Sequence, residues 1–171
     1  MKRYIITICL LFFASTSFGQ QVWTDHMRLL PDQLRNIPTG IFLYHNPSPV
    51  YPEQNTDTLN YPGKYVWKHS TFATAQPDDL EVVAAGSYLW YGEKGWITNV
   101  KLSRDDVAKK FNCPGGILKK GIQYQYVRNY RFGDKIFAGD ALWFIIAKDK
   151  AGRLYKGFAL VETEATLKNQ H

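Results

Sequence analysis

The sequence predicts an α+β protein that is predominantly antiparallel β, a strongly curved sheet or partly closed barrel with one or two short helices. Three observations predict it. Stretches of apolar–polar alternation recur between clusters rich in Gly, Pro, Asn and Asp, the rhythm of half-buried strands joined by turns. Aromatic residues are dense, 26 in 171, with 22 of them after residue 19, and aromatic side chains pack well on a pleated surface. A single segment near residues 103–116 carries both a start and a stop signal for a helix. Curvature or closure is expected because it removes exposed sheet edges.

Taken in order, residues 1–19 read as a cleavable signal peptide. Lys2 and Arg3 precede an apolar stretch from Ile5 to Ala14, and Ser17 and Gly19 suit the two small positions before a cleavage site. The new N-terminus is expected at Gln20. The apolar run is short for a membrane span of ~20 residues. Residues 20–38 hold a short helix with Pro31 at its first position and Leu34 and Ile37 on one face. A strand over 40–45 leads into a strap at 46–62, which holds four prolines.

Residues 64–75 alternate as one strand, with Tyr65, Trp67, His69 and Thr71 on one side. A second strand over 80–91 carries Gly86, where a bulge is expected. Gly92-Glu93-Lys94-Gly95 forms a hairpin loop, and Trp96 to Val100 returns. Ser103 caps the one clear helix, with Asp106 in the capping-box position; acidic residues begin it and lysines end it. Ile122 to Tyr130 alternates strictly. Ala141 to Ala147 is almost wholly apolar and predicts a central strand, turned back at Asp149-Lys150-Ala151-Gly152 into residues 153–163. The organisation is therefore signal (1–19), helix, strand and proline-rich strap (20–62), β core with a helix near 104–111 (63–165), and polar tail (166–171).

Charge and cysteine content narrow the function classes. Removing the signal lowers 21 basic residues to 19 against 15 acidic ones, so the net charge falls from +6 to +4. Residues 20–100 carry −3 and residues 101–171 carry +7, an asymmetry that suits anionic partners or simply scatters solubilising charge. No run of five like charges forms a polyanion-binding tail. One cysteine, Cys113, follows the signal, so an internal disulfide is excluded.

Cys113 lies among Lys109, Lys110, Lys119 and Lys120, which favour a thiolate. It also follows the negative end of the helix, which disfavours one. His45 or His69 could serve as its base; the plainer reading is a buried structural cysteine. His26, His45, His69 and His171 show no metal-ligand spacing, so no metal is expected. The carboxylate pairs Asp78/Asp79 and Asp105/Asp106 suit a turn and a helix start better than glycosidase chemistry. No phosphate-cradling glycine motif and no nucleophile-elbow motif is present, so no cofactor is expected.

The most suggestive feature is one face of the strand at 123–131, with Tyr124, Tyr126, Arg128 and Tyr130. Tyrosine offers a flat apolar ring with a polar tip, and Arg128 a fork of donors for an acid. Gln123, Gln125 and Asn129 are expected outside. Trp67, Trp90, Trp96 and Trp143 read as core. The expectation is an exported protein, periplasmic or extracellular, acting as a non-catalytic binding or interaction domain. It would be an inhibitor, an immunity-type protein or a module for a protein, carbohydrate or cell-envelope ligand, with no nucleic-acid partner and no membrane span. The alternative is a small hydrolase or transferase using Cys113 with a histidine.

Overall fold

The computed structural model describes residues 28–168; the expected signal peptide, its cleavage site, His26 and His171 lie outside the described residues. In chain order the elements begin with α1 (Asp32–Arg35), β1 (Ile41–Asn46), β2 (Pro52–Gln54), β3 (Tyr65–Trp67) and β4 (Ser70–Ala75). They continue with β5 (Leu80–Trp90), β6 (Trp96–Leu102), α2 (Arg104–Lys110), β7 (Ile117–Leu118) and β8 (Gln123–Tyr126). The chain closes with β9 (Arg131–Gly133), β10 (Gly139–Lys148) and β11 (Leu154–Thr163). Strand accounts for 48% and helix for 13%, which makes the protein α+β with antiparallel sheets dominant.

The strands form three antiparallel sheets. The largest runs β11-β10-β5-β6, with β7 also paired to β5. A second runs β1-β4-β8 and a third β2-β3-β9. Isolated parallel bridges tie residues between strands to the sheets: Thr39 to Lys156 and Val50 to Thr163 of β11, and Lys120 to Ala75 of β4.

The central position of β10 follows from its sequence. Ala141 to Ala147 is buried throughout, because β10 is sandwiched on both faces. Ala141, Trp143, Ile145 and Ala147 enter the main core beside Val107, Phe111, Cys113 and Leu118. Leu142, Phe144 and Ile146 face the other way, where Leu34 of α1 covers them. The helix α1 is shorter than its flanking pattern suggests, and Pro31 occupies its N-cap rather than its first turn. Buried Lys156 of β11 fastens it, donating from Nζ to the Leu34 carbonyl at 2.5 Å.

Two local expectations hold in detail. Ser103 and Asp106 form a reciprocal capping box at α2, each side chain accepting from the other's backbone N–H. Gly86 lies on β5 against β6, where a Cβ would stand 2.1 Å from the Val100 carbonyl oxygen; the register shifts next to it, between Ser87 and Tyr88.

Three expectations require correction. The strand expected over 64–75 is two strands in different sheets: Trp67 ends β3, Ser70 starts β4, and Lys68-His69 links them. The strap at 46–62 contains β2, which pairs with β3. The strand expected over 122–130 stops at Tyr126, because Arg128 adopts a left-handed φ of 59° that no strand accommodates.

Candidate functional site

The Lys68-His69 link between β3 and β4 places an imidazole where two sheets part. His69 is buried, and by hydrogen-bond geometry neither of its ring nitrogens has a partner. A neutral imidazole carries one donor and one acceptor; the Trp67 backbone lies close enough to bear on the ring but short of hydrogen-bond geometry. Burial pushes the His69 pKa down to about 4; the Trp67 backbone offsets part of the shift, and the charge of Arg131 adds to it.

His45 of β1 meets His69 edge to face, with ring centroids 5.5 Å apart. It stands opposite Thr71 in the β1–β4 register, and its Nδ1 lies 2.9 Å from Thr71 Oγ1. Asn129 donates from Nδ2 to the same hydroxyl at 2.8 Å. Burial first, then the neighbouring His69, lower the His45 pKa to about 3. Near neutral pH both rings are uncharged.

His69 and Asn129 belong to the lining of a cavity of about 790 Å³. That volume falls within the usual range for small-molecule sites, roughly 300–1,000 Å³. Leu89, Val100 and Leu102 of β5 and β6 form one wall, and Trp143 and Val161 of β10 and β11 another. Tyr126 ends β8 against Trp143, with centroids 6.3 Å apart. The segment after β8 contributes Tyr130, the start of β9 contributes Arg131, and the end of α2 contributes Lys110.

The charged lining is ordered. Arg131 lies over the Phe137 ring at 4.3 Å, and Phe137 stacks at 4.3 Å on fully buried Trp67. Arg131 donates from Nη1 to Thr163 Oγ1 at 2.9 Å, and that hydroxyl donates to the Gly139 carbonyl at 2.6 Å. Desolvation lowers the Arg131 pKa, while Tyr91 and Asp140 act the other way. Lys110 lies 4.8 Å from the Tyr126 ring centroid and 3.2 Å from its hydroxyl. Asp140, the carboxylate of the lining, is ion-paired to Arg28.

The tyrosine face expected at 124–130 divides. Tyr126 and Tyr130 line the cavity. Tyr124 packs against the main core, and its hydroxyl lies 3.4 Å from the Lys119 backbone nitrogen. Arg128 is exposed on the turn and away from the lining. Asn129, expected outside, is buried because the same turn points it at Thr71. Arg131, Lys110, Phe137 and Asn129 are the cavity residues that alternation could not find. The chemical cue was the cluster of Arg and aromatic residues continuing past Tyr130.

Cys113 lies fully buried in the main core, outside the cavity lining. Its thiol donates to the Val107 carbonyl at 3.6 Å, and burial pushes its pKa up. Both features oppose the thiolate a nucleophile requires. The carboxylate pairs serve structure: Asp106 caps α2, and Asp79 accepts from Lys119 Nζ and Lys120 N, both at 2.9 Å.

A second hollow of about 500 Å³ lies beside the proline-rich strap. Its Asn55 is already engaged, donating to the Tyr61 and Gly63 carbonyls and accepting from Asp57 N. Among the described residues no group of three His, Cys, Asp or Glu could hold a metal, and no helix is long and apolar enough to cross a membrane. No protein-family model, curated protein or solved structure matches this chain.

Proposed function

We propose that this protein is a non-catalytic binding domain whose ligand occupies the cavity between β5–β6, β10 and the segment after β8. One observation carries the proposal: a cavity of about 790 Å³, mostly apolar, has the buried, neutral His69 imidazole and the buried Asn129 amide in its lining. Apolar walls with few polar groups are the usual anatomy of a ligand site. Catalysis lacks equivalent support, since the buried thiol is protonated and bonded to a carbonyl.

Two further readings belong to this proposal. The cavity is the interior of a strongly curved sheet or partly closed barrel, a reading supported by the bridges at Thr39–Lys156 and Ala75–Lys120. The protein works after export, a reading supported by the charge and apolar pattern of residues 1–19.

The test is binding of the fluorescent probe 8-anilinonaphthalene-1-sulfonate to folded protein at neutral pH. Saturable binding near one equivalent is expected. Ala138→Trp, which adds an indole to an exposed lining position, should abolish it while unfolding stays cooperative. Absence of binding, or binding that the variant leaves unchanged, rejects the cavity as the site.

A further inference from the structure

Resting on that reading of the cavity, we infer that its ligand is a small organic acid with a flat apolar body, its carboxylate held by Arg131. Arg131, Lys110 and Asp140 are the ionised side chains of the lining, since His69 is neutral. Asp140 already has a cationic partner in Arg28. Among the described residues neither Arg131 nor Lys110 has a carboxylate within ion-pair distance. The lining therefore presents unpaired positive charge in a partly desolvated place.

The guanidinium is also held in position. Phe137 supports its face, Trp67 supports Phe137, and Thr163 fixes Nη1. Its Nε and Nη2 donate to no group among the described residues. A planar fork with free donors matches a carboxylate, and a desolvated charge-assisted pair is among the stronger hydrogen-bonded contacts. Holding the fork rigid lowers the ordering cost of binding.

The same geometry argues against a cationic ligand. An aromatic lining could cage an ammonium group. Here three of the seven aromatic rings of the lining already carry cations: Arg28 over Trp90, Lys110 over Tyr126 and Arg131 over Phe137. A second cation would meet like charge. Neutral ligands would leave Arg131 unpaired. The apolar walls of Leu89, Leu102, Trp143 and Val161 then receive the ligand's body.

The test compares three ligands that share one ring system: 2-naphthoate, 2-naphthylmethanol and 2-naphthylmethylammonium. Titration calorimetry on the intact protein should show the carboxylate binding at least about tenfold more tightly than the alcohol, with the ammonium weakest. Arg131→Gln should bring carboxylate and alcohol within about twofold. Lys119→Gln, which removes a cation outside the cavity, should leave the preference intact. Equal affinities of the three ligands for the unmodified protein would overturn the acid inference and leave the cavity reading standing. No binding of any at millimolar concentration, together with failure of the fluorescent probe, would overturn both. Because the ligand series on unmodified protein decides the point, loss of folding in the Arg131 variant would not rescue the inference.

Discussion

Cys113 and His69 are both buried, yet they occupy opposite environments. Cys113 sits in packed core, touches the Val107 carbonyl through its thiol, and lies outside the cavity lining. His69 lies between strands of two sheets, in the lining of a cavity, with its ring held neutral by burial. The difference teaches that burial of a chemically versatile side chain does not by itself make a site. A versatile side chain in the lining of a cavity makes a candidate. Packing around Cys113 serves stability, and the gap beside His69 is a region where stability has been given up.

The largest effect that separates the two regions is the response to truncation. Leu118→Ala, in the packed region, should cost 2–5 kcal/mol, because it opens a new cavity in a site with no empty volume. Leu89→Ala, on the cavity wall, should cost less than about 1.5 kcal/mol, because its side chain already borders empty space. Denaturant titration of both variants checks this, and similar costs would break the distinction.

Next comes pH. The folded-state pKa values of His45 and His69, about 3 and about 4, lie below the ordinary 6.5. Below pH 6.5 the unfolded chain therefore binds more protons than the folded one, and stability falls as pH falls. Each histidine should contribute a loss of about 2 kcal/mol between pH 8 and pH 5. His69→Asn should remove roughly half of that slope in denaturant unfolding at the two pH values. Cys113 should contribute nothing in this window, as its raised pKa lies above it. A stability that is flat from pH 8 to pH 5 would contradict the neutral, desolvated state of both rings.

Much of the fold was legible in the sequence because it rests on local rules. The capping box at Ser103 and Asp106, the turn at Gly92–Gly95 and the buried strand at Ala141–Ala147 each depend on residues close in the chain. Alternation failed where backbone conformation changes without a change in pattern. Tyr124, Tyr126, Arg128 and Tyr130 are spaced by two, but Arg128 has φ 59°, so the last two leave the strand. His69 alternates with Trp67 and Thr71 in the same way, although the chain passes through it from one sheet into another. The cavity was less legible still. Its walls come from β5, β6, α2, β8, β9, β10, β11 and the segments around 69, 129–130 and 137–138, and no local pattern records which of them meet around a void. Tyr126, Tyr130 and His69 were within reach as candidates; their convergence was not.

The smallest effect concerns the candidate that the turn expels. Arg128→Gly should change stability by less than about 0.5 kcal/mol and leave naphthoate affinity unchanged, since glycine tolerates a φ of 59° and the side chain is exposed. A loss of binding comparable to that of Arg131→Gln would return Arg128 to the site.

The most direct measurement is a long-range ¹H–¹⁵N spectrum of the imidazole nitrogens during titration with 2-naphthoate. The account predicts that the His69 ring resonances move and saturate near one equivalent, with smaller changes at His45 and none at the Cys113 amide. Unperturbed His69 nitrogens at saturating ligand, or shifts confined to exposed aromatics such as Phe42 of β1, would contradict it.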